Sequence, residues 1–217
     1  AGMFAFSYSV GPAVLAALQD DIREQVRFVV GLGGYHDLRR TLTYMTTGHF
    51  EADGQPRRRE PDAYGKWVYA LSNAGRLPDP ADRAALTAIA RRKMEDPGAG
   101  IDDLLAQLGP AGRAVYAFID NRDPAQVPDL LTRLPAGVQH DIAALDLATR
   151  DLSGLRADFI LVHGLDDDII PYTESVALAQ RAADLVLAAP ALLRVPEAIA
   201  LAGRTRRIVQ QNLAWAI

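Results

Sequence analysis

The 217-residue chain contains no cysteine, which excludes disulfides, thiolate nucleophiles and cysteine-ligated metals and leaves the compartment open, with the cytoplasm weakly favoured. No apolar stretch reaches membrane-spanning length, and no leader pattern is visible at the start. No run of basic residues suggests nucleic acid or an acidic membrane surface; the net charge is −4, with both signs spread along the chain. Lys66 and Lys93 are the only lysines. Histidine is equally sparse: His36, His49, His140 and His163, with none after position 163. What remains is an ordinary globular composition, 49% hydrophobic and 23% charged, long enough for one large domain or a core carrying an inserted unit.

Met3–Phe6 reads as a short buried strand, Val10–Leu18 as a helix, and the β-branched run Val26–Leu32, closed by Gly33-Gly34, as a second strand. A strand–helix–strand unit with short links predicts parallel pairing. From Asp37 to about Leu155 strand-like runs disappear and helical patterns follow one another, punctuated by turn signals such as Asp53-Gly54, Pro97-Gly98 and Gly109-Pro110. This stretch reads as an all-helical insertion. Ala157–Gly164 and Asp184–Ala189 are then strands around a helix over Tyr172–Ala183, and Pro196–Ile217 reads as closing helix. The expectation is an α/β core in two parts, residues 1–36 and 156–217, interrupted by a helical insertion over 37–155. Its sheet has about four parallel strands, with Met3–Phe6 as an apolar edge that no charge blunts.

Three stretches carry chemistry. In AGMFAFSYSVG a strand meets a helix at two serines, the setting of a nucleophile elbow, where small residues let the backbone pass and the helix N-terminus offers N–H groups to an oxyanion. Ser7 and Ser9 both fit. Pro12 lacks an N–H and sits best in a first helical turn, which favours a helix from Val10 and hence Ser9. A helix-capping serine turn is the plainer alternative. In HGLDDDIIPYTES, His163–Ser175, a strand ends in His-Gly and three aspartates follow, where open α/β sheets place ligands; one carboxylate could orient a catalytic histidine. No second acidic cluster converges to favour a metal, and no cofactor is expected. In GGYHDL, Gly33–Leu38, His36 also follows a strand's C-terminal end, although a surface or interdomain histidine is the commoner meaning.

These pieces together resemble the α/β-hydrolase superfamily. They are similar to a bacterial branch with an elbow Gly-x-Ser-Tyr/Phe-Ser-Gly-Gly and an acid motif His-Gly-x-x-Asp-x-x-Ile/Val-Pro, which His163, Gly164, Asp167, Ile170 and Pro171 match. The resemblance covers the chain from elbow to closing helices. It implies Ser7 as nucleophile with Ser9 as the alternative, a Tyr8 backbone N–H in the oxyanion hole, Asp167 as the triad acid, and an ester, amide or similar small acyl substrate. The insertion's apolar helical faces suggest a hydrophobic acyl or alcohol group, or simply core.

Three departures stand against it. Ala5 and Val10 replace elbow glycines and add Cβ atoms where close approach is wanted. The family's histidine position is Arg194, and a guanidinium releases no proton near neutral pH, which leaves His36 as the surrogate base. The strands that precede the elbow in the family have no counterpart. A serine hydrolase, a degenerate binding protein, and one half of a larger hydrolase or homo-oligomer joined through the Met3–Phe6 edge are therefore the three expectations.

Overall fold

The computed structural model describes residues 1–182 and 185–189. Arg194 and the expected closing helix over Pro196–Ile217 lie outside the described residues. In chain order the elements are β1 (Gly2–Phe6), a 3-10 turn (Ser7–Ser9), α1 (Val10–Ala17), β2 (Phe28–Leu32), α2 (Leu38–Thr47), β3 (His49–Ala52) and β4 (Gln55–Arg58). Then come α3 (Ala63–Ala74), α4 (Pro80–Glu95), α5 (Asp102–Leu105), α6 (Pro110–Asp120), α7 (Val127–Arg133) and α8 (Ala136–Leu145). The chain finishes its described course with β5 (Asp158–Gly164), α9 (Tyr172–Ala182) and β6 (Leu185–Ala189).

Two compact units result. The first consists of Ala1–His36, Thr149–Asp167 and the described residues from Tyr172 onward; the second consists of Asp37–Ala148 with Asp168–Pro171.

The first unit is a four-stranded sheet in the order β1-β2-β5-β6, with every pairing parallel. Parallel strands buried on both faces need near-continuous apolar sequence. The two inner strands supply it: Val29, Val30, Phe159, Leu161 and Val162 are all buried. β1 stands at one end of the order, the edge position its uncharged sequence suggested, but it is not the buried strand its apolar run implied: only Ala5 is buried, and Phe4 and Phe6 are 63% and 62% exposed, because no strand or helix of the described residues covers that edge. Phe4 meets Phe28 of β2 edge-on. In α1 the buried residues Val10, Val14 and Ala17 recur at helical spacing and so line one face.

The second unit is mainly helical, around a core that includes Trp67, Leu86, Ile89, Phe118 and Ile119. Aspartates start its helices: the side chains of Asp37, Asp62 and Asp79 each accept a backbone N–H one turn into α2, α3 and α4. Asp82, buried in α4, reaches across to the start of α6 and accepts from Gly109 N at 2.5 Å and Gly112 N at 2.9 Å.

The unit is not all-helical, as its sequence implied. β3 and β4 form an antiparallel hairpin closed by Asp53-Gly54. Both turn residues have positive φ, 54° and 69°, the conformation a two-residue hairpin turn demands and Asp-Gly supplies. The strands escape hydrophobic-pattern reading because QPRR in β4 is exposed throughout and includes a proline. His49 opens β3.

Candidate functional site

Among the described residues of the first unit, Ser7 is the one non-glycine residue with positive φ. Its φ is +52°, a left-handed conformation that costs a non-glycine residue about 1–3 kcal/mol and persists only where surrounding structure imposes it. Here β1 ends at Phe6 and the chain turns through Ser7–Ser9 into α1 within three residues. Ser9 stabilises the turn: its hydroxyl accepts from Phe6 N at 2.8 Å and donates to Phe6 O at 2.7 Å. The helix does begin at Val10, with Pro12 in its first turn, as Pro12 indicated. The intervening 3-10 turn breaks the inference from that start to Ser9, because it leaves Ser7 at the sharp bend and Ser9 tied to the strand end.

Val10 and Ala5, where the sequence resemblance implies glycines, each face glycine in or just after β2. Val10 is fully buried, and a Cβ on Gly31 or Gly34 would come within 3.0 or 2.8 Å of its Cγ1. Ala5 lies opposite Gly31 in the β1–β2 register. Glycines thus stand across from this turn, and at Val10 the close approach depends on them. Gly11 meets the same demand from Tyr35, whose hydroxyl would be 2.1 Å from an added Cβ.

A cavity of about 280 Å³ opens at the C-terminal ends of three adjacent parallel strands, lined by Phe6 and Ser7 after β1, Leu32 and Gly33 after β2, and Gly164, Asp166 and Asp167 after β5. This is where open α/β sheets hold ligands. Gly33 has φ +68°, and a Cβ there would be 3.4 Å from Asp167 Oδ2 and 4.0 Å from Ser7 Cα. A bare backbone therefore lies between the serine and the carboxylate. Of the three consecutive aspartates, Asp166 and Asp167 face this cavity, while the backbone carbonyl of Asp168 accepts from Asp62 N in the second unit.

No histidine is among the described residues lining the cavity. His36 follows β2, half-buried, and its backbone N–H donates to Glu174 Oε2 at 3.2 Å. His163 lies below instead, 2% exposed, with Nε2 3.3 Å from Asp167 Oδ2 and Nδ1 2.7 Å from Ser175 Oγ. Ser175 Oγ is also 3.1 Å from Gly34 O. Ser175, His163 and Asp167 have the connectivity of a Ser–His–Asp triad, but Ser175 is 1% exposed and faces a backbone carbonyl, so no substrate reaches it. Sequence reading singled out His163 but missed Ser175; the signal available was its place in the acid motif, on the inner face of the helix after Pro171.

No known family model matches the chain, and no curated protein matches it. Among solved structures it is similar to a meta-cleavage product hydrolase from Pseudomonas fluorescens IP01, at 18% identity over 100% of this chain and 65% of that one, with a TM-score of 0.38. It is also similar to a structure described among epoxide hydrolases of the α/β-hydrolase superfamily from hot-environment metagenomes, at 14% identity over 91% of this chain and 64% of that one, TM-score 0.38. The chain spans less than two thirds of the length of each. Its own strand order, the direct turn from β1 into α1 and the insertion between β2 and β5 make the first unit a partial parallel sheet of the α/β class.

Proposed function

We propose that the chain carries the nucleophile and acid of a serine hydrolase acting on an ester, amide or similar small acyl substrate. The observation that supports it most is the left-handed Ser7 at a three-residue bend, beside a cavity it shares with Asp167. Strain of this kind is kept where it presents a side chain for chemistry. Ser7 Oγ would attack the acyl carbon, and the negative charge arising on the carbonyl oxygen would be met by the backbone N–H of Tyr8 at the start of the helical turn. The alcohol or amine then leaves with a proton, and water releases the acyl group from Ser7. Ser9, whose hydroxyl is committed to both polar groups of Phe6, is the weaker choice of nucleophile.

The proton of Ser7 needs an acceptor, and the cavity offers carboxylates rather than an imidazole. A carboxylate is a weak base for a hydroxyl, so acylation is expected to be slow. The same observation supports a second reading, a hydrolase fold that binds an acyl compound without turning it over. A fluorophosphonate probe separates the two. Labelling of the intact protein that is lost in Ser7→Ala and kept in Ser9→Ala is the expected result. An intact protein that stays unlabelled, or a Ser7→Ala variant that labels equally, leaves the binding reading. Labelling gained only in Arg194→His would point the same way.

A further inference from the structure

His163 has an oxygen neighbour at each ring nitrogen, and the proton count of this buried row decides what it does. The contacts run from Gly34 O to Ser175 Oγ at 3.1 Å, from Ser175 Oγ to His163 Nδ1 at 2.7 Å, and from His163 Nε2 to Asp167 Oδ2 at 3.3 Å. A backbone carbonyl only accepts, as does an ionised carboxylate; a serine hydroxyl has one proton, and each imidazole nitrogen has at most one. If Nδ1 alone were protonated, a bare Nε2 lone pair on a ring that is itself buried would face the Asp167 oxygens, and an unmade polar contact on a buried group is costly. A proton on Nε2 removes that conflict. Ser175 can serve either resulting state, because its hydroxyl can donate to Nδ1 or accept from it and turn its proton to Gly34 O.

We infer that His163 is a positioning residue, which holds Asp167 from beneath the cavity by donating Nε2–H to its Oδ2, with Ser175 anchoring the far side of the ring. The inference deepens the serine hydrolase reading, since it rests on Asp167 being that site's acid. The carboxylate of this chain then has its imidazole partner on the buried side of the sheet. His163 is not among the described residues lining the cavity; it acts by fixing which way the Asp167 carboxylate faces. Its place is set by strand and helix rather than by loop: His163 sits in β5 and Ser175 in α9, both rigid elements.

The test is long-range proton–nitrogen NMR on the intact protein labelled with ¹⁵N-histidine, which reports the protonation of each ring nitrogen separately. The His163 signals are those lost in His163→Gln; should that variant not fold, they are those that survive replacement of His36, His49 and His140. The expected result is a protonated Nε2 in the unmodified protein, and a change in the His163 ring signals in Asp167→Asn with the other histidines unmoved. A bare Nε2 with a protonated Nδ1, or His163 signals indifferent to Asp167→Asn, overturns the inference. Neither outcome depends on activity. Failure of the probe to label Ser7 would remove the hydrolase reading and leave the hydrogen bond standing, whereas a bare Nε2 beside a labelled Ser7 would do the reverse.

Discussion

Lys66 illustrates how much a single residue can cost its own fold. It lies on α3 with 7% of its surface exposed, and burial, reinforced by the Arg122 charge, lowers its pKa from 10.5 to about 8. Asp120 and Glu60 pull the other way without restoring it. Below pH 8 folded and unfolded chains both hold the proton, and the penalty for burying the charge is present in full. Between pH 8 and 10.5 the unfolded chain holds a proton that the folded chain has shed, so stability rises with pH across that window. Lys66→Met is therefore expected to be more stable than the parent at pH 7, on the order of 1–2 kcal/mol once solvent screening is allowed for, with the advantage gone above about pH 10.5. Urea unfolding of both proteins at pH 7 and pH 10.5 measures it; an equal difference at both values would show that packing, not charge, separates them.

Among the elements, the start of α6 depends on a side chain outside it. Gly109 precedes Pro110 and has no side chain to cap the helix, so the Asp82 carboxylate from α4 takes the backbone N–H of Gly109 and of Gly112. A Cβ on Gly112 would lie 2.7 Å from Asp82 Oδ1, so the glycine is what lets the carboxylate in. Asp82→Ala leaves those donors buried without an acceptor and is expected to cost about 3 kcal/mol in chemical denaturation. Asp82→Asn keeps one acceptor and should lose less. A loss under about 0.5 kcal/mol for the alanine variant would show that water replaces the carboxylate. Capping of this kind is carried only in part by local sequence. Asp37, Asp62 and Asp79 cap within their own sequence neighbourhood, so the helix starts can be read; the Asp82 cap spans 27 residues and cannot. The β3–β4 hairpin was marked by Asp53-Gly54, yet its polar strands hid it from a search for apolar alternation.

On the scale of the molecule, β1 combines an edge position with exposed Phe4 and Phe6. Unpaired strand N–H and C=O groups beside apolar side chains favour pairing with another chain. Mass is accordingly expected to rise with protein concentration in light scattering, and Phe4→Lys with Phe6→Lys to suppress the rise, since charge on an edge opposes strand addition. A constant monomer mass at every concentration would remove that expectation.

Local sequence determined the elements of the first unit. The apolar runs of β1, β2, β5 and β6, the helical spacing of α1 and the glycines at strand ends are properties of a few consecutive residues, and short-range sterics and periodicity act on them before any distant contact forms. It also determined that no histidine follows position 163 and that Asp167 is the middle one of three consecutive aspartates after β5. Tertiary structure decided what depends on residues far apart in the chain. β2 pairs with β5 across more than a hundred intervening residues, and only that pairing brings Ser7, Gly33 and Asp167 to one cavity. It also placed Val10 against Gly31 and Gly34, where a Cβ would crowd it. Above all, it set His163 beneath Asp167 and seated it on Ser175. The direction in which a strand-end side chain is buried follows from what packs on each face of the sheet, and no stretch of neighbouring residues carries that information.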